Sequence, residues 1–313
     1  MNGYENYRKV KDIIEKRRLS AISSSEERNV EVASISEDIR LIDKELRGTG
    51  LLLFKTACAG GDITSIRERN LMLGKARRDA LVKLGYPEDY TDVHYTCPLC
   101  SDSGFVGTKM CSCFREMLVT ENIKSSGMGK LIEKQSFENF DLSRYGEDEL
   151  PRMKYNYSLA LDYAESFGLG KENLLFVGKT GTGKTHLSTA IAKKVIEKGF
   201  EVLYDSAQNI VSAFENDRFK SGYGPFEPKA DKYLECDLLI LDDLGTEFVN
   251  QFTVSCIYNL LNTRQNKGLP TVISTNLSPE ELARKYEDRI YSRIMGSDSK
   301  ILLFVGKDFR VEK

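Results

Sequence analysis

No charge of one sign dominates this chain: 45 Lys and Arg stand against 47 Asp and Glu, a formal net charge of −2 over 313 residues. That excludes a global basic field, so any nucleic-acid contact must come from a local patch. Long apolar runs are missing as well. No segment approaches the roughly 20 apolar residues that span a bilayer. The opening Met1-Asn2-Gly3-Tyr4-Glu5-Asn6-Tyr7 meets charge before any apolar core of signal-peptide length can form. No membrane association is expected, and the expected compartment is the cytoplasm. There is no internal repeat and no long low-complexity tract, which sets aside repeat arrays and biased linkers. What is there, 41% apolar and 29% charged residues, is the balance of a soluble globular protein. The length suits two domains better than one.

Seven cysteines are unevenly placed. Cys58, Cys236 and Cys256 are scattered, whereas Cys97, Cys100, Cys111 and Cys113 cluster. In a cytosolic chain such a cluster reads as a metal site before it reads as disulfides. Two ligand pairs with Gly104 and Gly107 between them suit a small hairpin closed by tetrahedral Zn²⁺. The C-x-C half is tighter than the usual C-x-x-C, and His94 is an alternative fourth ligand.

The first 90 residues read as helices. Val32, Ile35, Ile39, Ile42 and Leu46 recur at spacings of three and four, and Ile66, Leu73 and Ala80 at seven. Asp62 is a candidate N-cap after Gly60-Gly61. Such short stripes suit a helical hairpin or small bundle, packed on itself or on a partner. The expected organisation is a helical region over residues 1–93, a zinc-binding segment over 94–124, a linker over 125–134 with Ser125-Ser126-Gly127, and an α/β domain over 135–313. In that last part five apolar stretches, at 174–177, 202–204, 238–241, 271–275 and 301–305, alternate with helical patterns. That order predicts a mostly parallel five-stranded sheet covered on both faces.

Gly178-Lys179-Thr180-Gly181-Thr182-Gly183-Lys184-Thr185 matches the phosphate-binding loop pattern G-x-x-x-x-G-K-[ST] in full, between a strand and a helix. Its glycines let backbone N–H groups converge on phosphate oxygens, and the helix N-terminus adds its positive end. Lys184 is expected on the β- and γ-phosphates of ATP and Thr185 on Mg²⁺, with His186 next in line. The acids of Leu238-Leu239-Ile240-Leu241-Asp242-Asp243 emerge at the carboxyl end of a buried strand. Asp242 suits the magnesium ion, and Asp243 suits a general base for the attacking water. Asn276, ending the 271–275 strand, can sit between that water and the γ-phosphate. Arg293, with Arg289 as a second candidate, can project into a neighbour's ATP site. Arg218, Lys220, Phe219 and Tyr223 are candidates for phosphate contact and base stacking on single-stranded DNA.

Together with Ser136-Phe137-Glu138-Asn139-Phe140-Asp141 and Asp242-Asp243-Leu244-Gly245, these motifs resemble the AAA+ helicase loaders of the DnaC/DnaI family over about residues 135–305, with IstB and DnaA as wider relatives. The resemblance implies that Lys184 and Thr185 are Walker A, Asp242 and Asp243 Walker B, Asn276 sensor 1, and Arg293 an arginine finger acting between self-associated subunits. It implies an AAA+ sheet without a C-terminal helical lid, so other parts must enclose adenine, and residues 137–145 are the candidate. It implies a helical zinc-binding front part of the DnaI kind that grips a hexameric, DnaB-type replicative helicase. It also implies ATP hydrolysis coupled to delivery of that helicase onto single-stranded DNA. An IstB-like transposition helper and a non-hydrolysing adaptor stay open. A small-molecule kinase fits less well, since it has no evident use for Asn276 or Arg293.

Overall fold

The computed structural model of the chain describes residues 2–220 and 229–309. Two compact units divide it: Lys11–Phe114, and Met1–Val10 together with Arg115–Lys313.

The front of the chain is helical, with α1 (Asn2–Ile35), α2 (Glu37–Cys58) and α3 (Thr64–Lys83). Ser36 interrupts the stripe read across residues 32–46, because its side chain caps α2 by accepting from the Ile39 N–H. Val32 and Ile39 are fully buried with Leu81, while Ile35 is exposed. Asp62 accepts from the Thr64 N–H at 2.9 Å, one residue ahead of the cap position at Ile63. Arg77 ties this unit together, donating to Asp43, Thr91 Oγ1 and Asn29 Oδ1 at 2.6 Å each. Next come a two-stranded antiparallel hairpin, β1 (Phe105–Val106) and β2 (Lys109–Met110), and helix α4 (Ser112–Ser125).

The expected linker is structured. Residues 126–128 lie along the sheet of the larger unit: the Tyr204 N–H donates to the Ser126 carbonyl at 2.7 Å, and Met128 is buried. The boundary between units falls at residues 114/115 instead. Glycines and serines here serve close backbone approach, since a Cβ on Gly127 would lie 2.5 Å from the Tyr204 carbonyl oxygen.

The rest of the chain alternates helix and strand: α5 (Leu131–Lys134), α6 (Leu150–Glu165), β3 (Asn173–Gly178), α7 (Lys184–Glu197), β4 (Val202–Ser206), α8 (Ala207–Lys220), α9 (Asp231–Glu235), β5 (Leu238–Leu244), α10 (Gln251–Asn266), β6 (Thr271–Thr275), α11 (Pro279–Lys285), α12 (Asp288–Met295) and β7 (Ser299–Phe304). All five strands of the sheet pair in parallel, in the order β4-β5-β6-β3-β7. Separate apolar clusters cover its two faces, one with Leu187, Ile191 and Val195 of α7, the other with Ile257, Leu260 and Ile290 of α10 and α12. That burial on both sides explains why β3, β5 and β6 read as continuous apolar runs. The strand order puts β3 between β6 and β7, so the loop after β3 opens beside the carboxyl ends of β5 and β6.

Candidate functional site

The loop between β3 and α7 is built on glycine backbone. Gly181 and Gly183 have φ of +77° and +94°, in the left-handed region that side chains disfavour. At Gly183 a Cβ would lie 2.7 Å from the Tyr145 hydroxyl oxygen. Tyr145 itself donates to the Thr182 carbonyl at 3.0 Å, so residues 140–145 clamp the loop from outside. Burial pushes the Tyr145 hydroxyl up to about 12, so it stays a donor.

Lys184 is buried and donates to the carbonyls of Gly178 and Lys179 at 2.6 and 2.7 Å and to Asn276 Oδ1 at 2.7 Å. The lysine and the asparagine, 92 residues apart in sequence, thus meet in the cleft. Thr185 Oγ1 lies 3.4 Å from Asp242 Oδ2. Asp242 also accepts from the hydroxyls of Tyr204 and Ser274. Burial, and then the Asp242 charge, push the Tyr204 phenol well above its ordinary range, so it too remains a donor. Neither Tyr204 nor Ser274 was singled out from sequence. Their signal is positional, a hydroxyl on each strand flanking the acid-bearing strand.

Asp243 has φ +54°, and the β5–β6 register shifts between Leu241 and Leu244. In a regular strand consecutive side chains point to opposite faces. The left-handed turn at Asp243 breaks that alternation and lets it line the cleft beside Asn276. Its N–H donates to Ser274 Oγ at 2.9 Å.

The cleft has a volume of about 350 Å³ and is lined by Thr180, Gly181, Gly183, Lys184, Thr185, His186, Asp243 and Asn276, and by Gln135, Asn139, Phe140, Asp141, Arg144, Tyr145 and Phe309. His186 reaches residues 136–139: its Nε2 lies 3.0 Å from the Ser136 carbonyl and 2.9 Å from Asn139 Oδ1. Both partners are acceptors, so Nε2 carries the proton, and burial lowers the pKa and keeps the ring neutral. Within residues 137–145, Phe137 packs inward on Tyr157 rather than lining the cleft. The sequence reading missed Phe309. After β7 the chain turns back, the Phe309 N–H donates to the Gly181 carbonyl at 3.3 Å, and Arg144 stacks 4.5 Å from the Phe309 ring centroid.

Arg293 and Arg289 are both outside this cleft. Arg293 donates to Gln265 Oε1 at 2.9 Å, while exposed Arg289 pairs with Glu287 at 3.0 Å. Arg218 lies 5.4 Å from the Phe252 ring centroid, and Phe219 is exposed. Tyr223 and the Lys220 side chain lie outside the described residues.

The sulfurs of Cys97, Cys100, Cys111 and Cys113 lie within 4.8 Å of one another. Cys97 and Cys111 are 3.8 Å apart, Cys100 and Cys113 3.6 Å. Tetrahedral zinc with Zn–S bonds of about 2.3 Å requires sulfur–sulfur edges of about 3.8 Å, so the four thiols fit the ion. His94 is exposed and not in the group. The buried Asp102 carboxylate accepts from the N–H groups of Thr96 and Cys97 at 2.8 and 3.0 Å and shapes the first ligand loop. The backbone N–H of Cys100 holds the Cys97 thiol down to about 7, whereas burial pushes Cys113 up.

A glycine loop at a helix N-terminus, a buried lysine, and two acids and an asparagine at adjoining strand ends define a P-loop nucleotide-binding protein of AAA+ architecture. The chain belongs to the family of IstB-like ATP binding proteins, whose model matches residues 115–296. It is similar to the replicative helicase loader DnaC of Escherichia coli K12, at 27% identity over 63% of this chain and 77% of that protein. The chromosomal replication initiator DnaA of Lactococcus lactis subsp. cremoris MG1363 is 30% identical over 52% of this chain and 34% of its own. Among solved structures, a DnaC helicase loader superposes with a TM-score of 0.49 at 21% identity, covering 56% of this chain and 100% of that one. Among the described residues no helix is long and apolar enough to cross a membrane.

Proposed function

We propose that this protein is an ATP-hydrolysing helicase loader that delivers a hexameric replicative helicase onto single-stranded DNA. The observation that carries the ATP part is that Lys184, Thr185 and Asn276 line a single cleft, with Lys184 bonded to Asn276 and Thr185 to Asp242. The loader part is supported by the similarity to DnaC over most of that protein's length, and by a separate front unit outside the residues that the family model matches.

In this reading the loop N–H groups and Lys184 hold the triphosphate. Magnesium, when held by Thr185 and Asp242, offsets charge on the β- and γ-phosphates. Asp243 takes the proton from the attacking water, and Asn276 orients that water against the γ-phosphate. Arg293 of a neighbouring subunit stabilises the developing charge. Zinc on the four cysteines closes the front unit, which has few buried apolar residues of its own. That unit grips the helicase, and α8 with the segment after it contacts the DNA strand.

Two measurements on the full-length protein test this. Co-purification with the host's replicative helicase in the presence of ATP is expected, as is ATP turnover that responds to single-stranded DNA. Turnover without helicase capture would favour an IstB-like transposition helper. Capture without turnover would favour an adaptor.

A further inference from the structure

The cleft has two chemically different ends. One holds Gly181, Lys184 and Thr185, which meet phosphate groups common to every nucleoside triphosphate and so cannot distinguish bases. The other end is lined by Tyr145, Phe309 and Arg144, the two rings meeting edge to face at 5.0 Å between centroids and the guanidinium lying over Phe309. These surfaces stack on any base. Discrimination needs a directional polar group, and one is present. Gln135 lines the cleft, and its Oε1 is buried without a hydrogen-bond partner. The neighbouring carboxamide is fully used: Asn139 Oδ1 accepts from the Ser136 N–H and meets His186 Nε2, and its Nδ2 donates to the Lys134 carbonyl. The Gln135 backbone is fixed too. It caps α5 in an extended conformation, its N–H donating to the Leu131 carbonyl at 2.9 Å.

A buried carbonyl oxygen that lacks a donor is unfavourable, and a ligand that supplies the donor gains by it. We infer that Gln135 is the base-reading residue of the cleft, its Oε1 accepting from the 6-amino group of adenine. Guanine carries a carbonyl oxygen at that position, which would set two acceptors face to face. A site built to bond a substrate N–H rejects an analogue without it more strongly than an apolar pocket rejects a change of size. This inference rests on the cleft being the nucleotide site.

The test is competition binding on the intact protein, with a ribose-labelled fluorescent ATP displaced by ATP, GTP or purine riboside triphosphate, which lacks only the 6-amino group. Wild type should prefer ATP over purine riboside triphosphate by roughly tenfold, the scale of one well-placed hydrogen bond to a buried acceptor. Gln135→Met preserves side-chain length and removes the acceptor. It should weaken ATP by about that factor, leave purine riboside triphosphate within about twofold, and so close the gap. Gln135→Glu retains an acceptor and should keep the preference. A preference for ATP that survives in Gln135→Met, or one absent from wild type, overturns the assignment while leaving the cleft a nucleotide site. Wild type that binds none of the three overturns both.

Discussion

At the scale of single residues, the proposed nucleotide site divides side chains that would touch phosphate from those that would aim them. Lys184→Ala removes the one buried ammonium facing the loop, and it should abolish ATP binding in a fluorescent-nucleotide titration. Asp243→Asn keeps size and polarity but loses the base. It should bind ATP like wild type and turn over roughly 100-fold more slowly or worse. Wild-type turnover in that variant would remove Asp243 from the mechanism. Tyr204 belongs to the aiming group, because its phenol donates to Asp242 while its own N–H is held by Ser126. Tyr204→Phe should leave metal-free ATP binding nearly unchanged. It should raise several-fold the Mg²⁺ concentration at which nucleotide affinity is half-enhanced, since a lost bond to a charged group is worth about 1.5–3 kcal/mol, part of it retained by Ser274. An unchanged Mg²⁺ dependence would show that Asp242 needs no help from Tyr204.

At the scale of elements, the cysteine cluster and the sheet were legible for opposite reasons. The cysteines announce themselves by spacing, and the 104–107 segment needs its glycines, with Gly104 against the Phe114 ring and Gly107 at φ +61° in the turn. Freshly purified protein should therefore carry about one zinc per chain by elemental analysis. The double substitution Cys97→Ser with Cys100→Ser should release it and raise hydrogen exchange across residues 11–114, leaving β3 and β5 protected. Metal-free wild-type protein with an intact front unit would contradict this. The sheet was legible because strands buried on both faces are continuous apolar runs, and the phosphate-loop motif dates the first of them. What escaped were contacts that no local pattern encodes. Phe309 reaches the cleft only because β7 lies beside β3, and Tyr204 meets Asp242 only because β4 pairs with β5. Arg264 is fully buried with its guanidinium on the carbonyls of Tyr233, Cys236 and Pro270, although a lone arginine late in a polar-looking helix reads as a surface residue. The 125–134 linker was misread because glycine and serine serve close packing as readily as flexibility, and periodicity does not tell them apart.

At the scale of the whole molecule, the cleft lacks a cation beyond those of the loop and Arg144 among its described lining residues, and the hydrolysis proposed above would call for one in its transition state. Arg293 sits on α12, half-buried, outside its own cleft and hydrogen-bonded to Gln265. Arg289, one turn earlier, is exposed and paired with Glu287. A residue that acts on a neighbour's nucleotide should look like this in one chain, close to the surface and idle in the local site. An arginine contributed across an interface can change turnover by roughly 10³-fold or more while barely touching ground-state affinity, because it meets charge that develops only in the transition state. Arg293→Ala should therefore bind ATP as tightly as wild type and lose stimulated turnover. Lys184→Ala chains bind no nucleotide but still present Arg293. Mixing the two variants creates one kind of competent interface, an intact phosphate loop from the Arg293→Ala chain facing an intact Arg293 from the Lys184→Ala chain. Under conditions where light scattering shows association, the mixture should exceed the sum of the separate activities. Simple additivity in an associated mixture would exclude Arg293 as the trans-acting group, and the same mixing experiment with Arg289→Ala would then decide whether the exposed arginine one turn away takes its place.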